Sequence, residues 1–317
     1  MTDHAPLVDK SVRKLVRKLI DKQLLVVTGK GGVGKSTIAA ALAAEAARGG
    51  RRVLLASHTR IEGPHPCFGT TLSYKPVRVA ENLYLARIDP RDALKEYVHR
   101  TLPLGQFYDW FLDSKTVAHF TEATPGFDDL MCLGKVYDHV AGPDAFDLVV
   151  LDAPSTGHAA LMLRVPAVTC AAVATGPIHH NALKIRLLLE GTRTEVVLVA
   201  LPEEMALREA QELSDHITDE LDMSVGALVL NRIATPLFND SEIDALGALP
   251  EGSPALQRIA RAANERHALA VLQNRYEATL GPAAPRLRVP HVIQQQFDGP
   301  ALVDQIAGHL TGRNSSG

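Results

Sequence analysis

The sequence predicts a doubly wound α/β protein with a mostly parallel sheet. Apolar runs rich in β-branched residues recur along the chain, their apolar character is continuous rather than alternating, and helical patterns separate them. The runs are "QLLVVT" (23–28), "RVLLAS" (52–57), "LYLARI" (83–88), "FDLVVLD" (146–152), "CAAVAT" (170–175), "EVVLVAL" (195–201) and "GALVLN" (226–231). A strand that is apolar on both sides needs cover on both faces, which a parallel sheet receives from its crossover helices. Repetition of strand, helix, strand therefore argues for a sheet wound in both directions.

The elements between the runs follow the same logic. Residues 35–49 are alanine-rich and 203–222 are charged at helical spacing, and both read as helices. Near the start, "SVRKLVRKLIDK" places Val12, Leu15, Val16 and Leu19 on one face of a basic helix, expected to dock on the sheet's edge. Two stretches are too long for simple crossovers. Residues 91–145 contain "FYDWFLDSKTVAHF", which holds five of the chain's fifteen aromatics, with Phe107, Trp110 and Phe111 on one helical face. Residues 232–285 are alanine-rich, charged and mostly helical in pattern. Together these insertions are expected to form a helical cap on a single domain spanning 1–317.

Composition narrows the function classes. The 317 residues are 46% apolar and 22% charged, with a net charge of −3, which supports a globular core and gives no argument for nucleic acid. No apolar stretch reaches the ~20 residues of a spanning helix, and "MTDHAPLVDK" lacks a secretory h-region. Stable membrane insertion is not expected. Cys67, Cys132 and Cys170 are far apart and odd in number, which points away from a disulfide framework and toward a reducing cytoplasm.

The chemistry concentrates at residues 29–37, "GKGGVGKST". This stretch satisfies G-x-x-x-x-G-K-[ST] after a strand and at the opening of a helix. Gly29, Gly31, Gly32, Val33 and Gly34 supply a backbone that can turn its N–H groups around phosphate oxygens, and the helix that follows, opened by Lys35, Ser36 and Thr37, aims its positive end at the same place. Lys35 is expected to reach the β- and γ-phosphates of ATP, and the Ser36 hydroxyl to ligate Mg²⁺. "FDLVVLD" ends in Asp152, an acid at a strand end beside this loop and the second candidate for the metal, directly or through water.

The second lysine of the loop, Lys30, and the segments downstream carry a family resemblance. "GKGGVGKST" resembles the deviant Walker A loop of one group of P-loop NTPases, the SIMIBI type. "DAPSTGHAALMLRVP" (152–166) is similar to the switch II segment of the branch containing the arsenite-pump ATPase ArsA and the targeting ATPases of tail-anchored membrane proteins. "PGFDD" (125–129), "LPEEMALREA" followed by "LVLNR" (228–232), and more loosely "VPHVIQQQFDGPALVDQI" (289–306) resemble further segments of that branch. The resemblance identifies a bacterial ArsA-like member. It implies an Mg²⁺-dependent ATPase that couples nucleotide state to a protein or hydrophobic client. Asn231, with Arg232 beside it, is implied on the adenine side. Lys30 is implied to cross a dimer interface and contact the nucleotide of the opposite subunit, as an arginine finger does. The partner is then a second copy of the chain or a paralogous ATPase.

The chain departs from this pattern at several points. The branch carries S-T-D-P-A-H after its second strand, and its Asp orients the attacking water; Thr59 stands in that place here. A hydroxyl is no base near neutral pH. His58 and Glu62 are the nearby candidates, and "RIEGPHPCFG" resembles a displaced acidic element. Slow or partner-dependent turnover is the expectation. There is no C-x-x-C for an interfacial zinc site and no evident arsenite site, so a role in metalloid efflux ranks last. Cys170 reads as a core residue on a strand. His179 and His180 read as a loop or helix start, and His158 as a packing or hydrogen-bonding residue near the dimer interface. For the client, methionines at 1, 131, 162, 205 and 223 are scattered, and the aromatic cluster at 107–120 reads equally as a groove or as the core of the cap.

Overall fold

The structure, a computed structural model, describes residues 10–58, 63–101, 125–247, 254–281 and 284–313. Its centre is an eight-stranded sheet in the order β3-β4-β2-β5-β1-β6-β7-β8. The strands are β1 (Leu24–Gly29), β2 (Val53–Ser57), β3 (Val77–Ala80), β4 (Leu83–Arg87), β5 (Leu148–Ser155), β6 (Thr194–Ala200), β7 (Val225–Ile233) and β8 (Arg286–Pro290). Neighbouring strands are parallel except at β3, which runs antiparallel to β4 at one edge. From β1 the chain passes to β2 and to β3 and β4 at one edge, returns to β5 between β2 and β1, and then runs through β6, β7 and β8 to the other edge, a doubly wound pattern.

Burial on both faces is visible residue by residue. Every residue of β1 is buried, and the pleat divides them. Leu24 and Val26 enter one core with α4 (Phe127–Ala141), α5 (Thr156–Ala172), α6 (Pro177–Leu189) and α7 (Glu204–Asp219). Leu25 and Val27 enter the other with α1 (Lys10–Ile20), α2 (Lys35–Arg48) and α10 (Gly299–Thr311). The alanines of α2 explain its place: with methyl side chains from Ala39 to Ala47, the helix lies close against the sheet and buries nearly all of them.

The remaining helices are α3 (Pro90–Thr101), α8 (Asp240–Gly247) and α9 (Pro254–Ala278). Helix α3 packs on α4, which also meets α5 and α6; α8 packs on α9, which reaches α7. The aromatic cluster at 107–120 lies outside the described residues.

Three expectations need correction. Residues 170–175 are not a strand: α5 runs to Ala172 and carries Pro166 inside it. A proline removes a helical N–H and normally marks a boundary, but α5 is held by burial of Ala159, Met162, Leu163 and Pro166, and tertiary packing overrides the local signal. Cys170 accordingly sits half-buried on that helix rather than on a core strand. Helix α1 does dock through Val16 and Leu19, but on α2 and α10 over one face of the sheet, not on its edge. Leu19 lies so close to Gly226 of β7 that a Cβ there would come within 2.5 Å of its Cδ2.

Two strands are new, β3 and β8. Both are edge strands with little continuous apolar sequence, "VRVA" and "RLRVP". An edge strand covered on one face alternates instead of running apolar: in β8 only Leu287 and Val289 are buried.

Candidate phosphate and magnesium site

The loop from Lys30 to Gly34 joins β1 to α2 at the C-terminal end of the sheet, where a doubly wound fold places its ligand crevice. Gly29 allows no side chain, since a Cβ would lie 2.0 Å from the Val199 carbonyl oxygen of β6. Gly34 sits at φ +96°, in the left-handed region that L side chains avoid. Val33 is buried and anchors the loop, while Gly31 and Gly32 face open space. Thr28 Oγ1 donates to the Pro154 carbonyl at 2.8 Å and ties β1 to the end of β5.

The predicted residues converge here. Ser36 Oγ donates to Asp152 Oδ2 at 2.7 Å. Asp152 is 2% exposed and lies opposite Val27 of β1 and Ser57 of β2 in the sheet register. Burial pushes its carboxyl above the usual range, opposed by the Ser36 hydrogen bond and by the charges of Lys35 and His58. Lys35 Nζ donates to the Lys30 carbonyl at 3.0 Å, folding the side chain back over the loop. Desolvation lowers the Lys35 pKa, and Asp152 opposes that shift. A buried carboxylate and a hydroxyl 2.7 Å apart form a hard oxygen pair that suits Mg²⁺, so the residues fit the metal. Thr37, next on the helix, hydrogen-bonds the Cys67 thiol, which burial pushes up to about 11.

Asn231 is tied to the phosphate loop. Its side-chain amide donates to the Val33 carbonyl at 2.7 Å and its Oδ1 accepts from the Arg232 N–H at 3.0 Å. Both ends are engaged, so Asn231 braces the phosphate loop against β7. Arg232 is exposed at φ +60°. Lys30 is exposed and pairs within the chain with Glu209 of α7, Nζ to Oε1 at 2.7 Å. Thr59 and Glu62 lie outside the described residues.

Sequence reasoning missed one grouping. His58 at the end of β2, Asp129 in the first turn of α4 and His158 in the first turn of α5 come together beside the phosphate site. The His58 N–H donates to the Asp152 carbonyl at 3.2 Å. The only sequence signal was that each residue falls in a segment singled out for another reason. His179 and His180 do lie in the first turn of α6, and His179 Nδ1 lies 2.6 Å from the Val173 carbonyl. Met131, Met162 and Met223 are core residues, and Met205 is exposed.

The fold and this loop together define an α/β protein of the P-loop class. Comparison with known proteins narrows the class: residues 22–175 match the anion-transporting ATPase family. The ATPase BagA of Mycobacterium tuberculosis is 31% identical over 226 residues, which cover 68% of this chain and 66% of that protein. The arsenical pump-driving ATPase of Escherichia coli is 26% identical over 253 residues, covering 71% of this chain and 41% of that one. ATPase ASNA1 homolog 1 of Paramecium tetraurelia is 28% identical over 166 residues, 50% of this chain and 48% of that protein. The chain belongs to the ArsA-like family of anion-transporting ATPases. It spans 66% of the mycobacterial relative and less of the others. Among the described residues, no helix is long and apolar enough to cross a membrane.

Proposed function

We propose that this chain binds ATP with Mg²⁺, hydrolyses it as part of a dimer, and couples nucleotide state to a protein or hydrophobic client. The observation that supports this reading most is the Ser36–Asp152 hydrogen bond, directly under a loop closed by Lys35. Mg²⁺ would supply charge neutralisation between the phosphates. The chain's own residues do the rest. Lys35 exchanges the Lys30 carbonyl for phosphate oxygens, and the N-terminal turn of α2 adds its positive end. Ser36 and Asp152 would hold the metal through their oxygens. Lys30 leaves Glu209 to serve the partner's nucleotide. That ion pair is exposed, and such pairs contribute only about 0–1 kcal/mol, so its release costs little.

Two features support a client or partner surface. Leu256, Ile259, Leu269 and Leu272 stand exposed on α9. A cavity of about 310 Å³ opens between α3, α4 and α6, lined in part by Tyr97, Leu130, Met131 and Ile178. A second reading is a weakly active subunit completing a hetero-oligomer with a paralogous ATPase; Thr59 in place of the family's acid favours it.

The test is nucleotide binding and turnover by the full chain. Ser36→Ala is expected to lose Mg²⁺-dependent ATP affinity, and Lys35→Ala to lose ATP binding with or without Mg²⁺, by titration with a fluorescent ATP analogue. Unchanged affinity in both would overturn the reading. Binding without turnover in the wild-type chain, restored by a paralogue, would select the hetero-oligomer.

A further inference from the structure

The His58, Asp129 and His158 side chains offer ligand atoms that all lie within 4.8 Å of one another. His158 Nε2 is 3.0 Å and His58 Nε2 3.7 Å from the same carboxylate oxygen, Asp129 Oδ1. We propose that this cluster is a site for a zinc-class divalent cation, held by two imidazoles and one carboxylate and distinct from the Mg²⁺ pair Ser36–Asp152.

The donor set argues for that class. Two imidazoles with one carboxylate suit zinc, cobalt, nickel or ferrous iron, whereas magnesium and calcium take oxygen. Three protein ligands with an open position are the common arrangement for a reactive or exchangeable zinc ion. Here the open side follows from burial: the Asp129 side chain is 11% exposed and that of His158 50%. Donors around a tetrahedral ion stand roughly 3.3 Å apart for bonds of ~2.0–2.1 Å. The His158–Asp129 pair is already near that spacing, and the exposed His158 ring is free of dense packing, so closure needs small side-chain rotations.

Electrostatics agrees. Burial pushes the Asp129 carboxyl upward, and the two imidazoles outweigh it and hold the group below its usual range, hence ionised near neutral pH. The first turns of α4 and α5 carry partial positive charge, which steadies the ionised Asp129 and opposes a cation, so affinity has to come from the imidazole and carboxylate bonds themselves. The three ligands come from three elements: the end of β2, the start of α4 and the start of α5. An ion there ties together the segments that flank the phosphate loop; the backbone N–H of His58 already donates to the Asp152 carbonyl.

The experiment reads metal rather than nucleotide, so it stands apart from the ATPase reading. The full chain, stripped with a chelator, is titrated with Co²⁺ and followed by visible absorption. One equivalent is expected to give the intense bands of a four- or five-coordinate ion, displaced by Zn²⁺ but not by excess Mg²⁺. His58→Ala, Asp129→Asn and His158→Ala should each weaken binding by ~10-fold or more. Ser36→Ala and His180→Ala should leave the bands intact. Zn²⁺ should raise the melting temperature of the wild-type chain and not of His158→Ala. Should Asp129→Asn fail to fold, His158→Ala decides, because its side chain is exposed. Absence of a one-equivalent site in the wild-type chain, or equal binding by His158→Ala, overturns the proposal and leaves an ordinary ion-pair cluster.

Discussion

His65 and His139 carry a cost of burial that bears on stability at mildly acid pH. Each is almost fully buried, and desolvation lowers each to a pKa of about 4. His65 Nδ1 accepts the Cys67 N–H at 3.2 Å, a bond that needs the neutral ring. In the unfolded chain both titrate near the usual ~6.5. The folded pKa is depressed, so below about 6.5 the unfolded state binds more protons and stability falls with pH until about 4. Each histidine is expected to add a slope of up to roughly 1.4 kcal/mol per pH unit in that window. Denaturant unfolding at pH 7, 6 and 5 checks this, and His139→Gln should flatten the decline. At this scale the site was largely legible. The meeting of Lys35, Ser36 and Asp152 was legible because a phosphate loop confines its residues to a consecutive stretch and to one neighbouring strand end. The hydrogen bond from Asn231 to the Val33 carbonyl was not legible, because the two are 198 positions apart.

At the scale of elements, continuous apolar runs located the central strands, since a strand buried on both faces is apolar on both. Edge strands β3 and β8 left none, and the helix α5 imitated a strand at its C-terminal end, where "CAAVAT" lost its polar flank. The bracing of the phosphate loop by β7 belongs here too. Asn231→Ala leaves the buried Val33 carbonyl without its partner, which costs about 1–3 kcal/mol. It is expected to lower thermal stability and to weaken ATP binding through a looser loop, measured by calorimetry and nucleotide titration. Asn231→Asp, which cannot donate to a carbonyl, should fail to rescue. If ATP affinity is unchanged in both, the bracing role is wrong.

For the whole molecule the question is whether Lys30, paired with Glu209 in its own chain, leaves it for a nucleotide across an interface as proposed. Lys30→Ala is expected to spare ATP binding by an isolated subunit while impairing ATP-driven dimerisation. Glu209→Gln should do the reverse and let the dimer form at lower ATP. Both are read by mass measurement in solution with and without nucleotide. Dimerisation unaffected by either substitution would remove the cross-subunit role.

The sequence by itself determined the sheet's central strands, the phosphate loop with its serine and acid, and the family, since each is written in contiguous residues under a local physical constraint. Tertiary structure alone decided the edge strands, the persistence of α5 through Pro166, the in-chain partner of Lys30, and the meeting of His58, Asp129 and His158. Those features depend on which distant segments the winding of the sheet brings to its C-terminal end. Spacing along the chain carries no record of that.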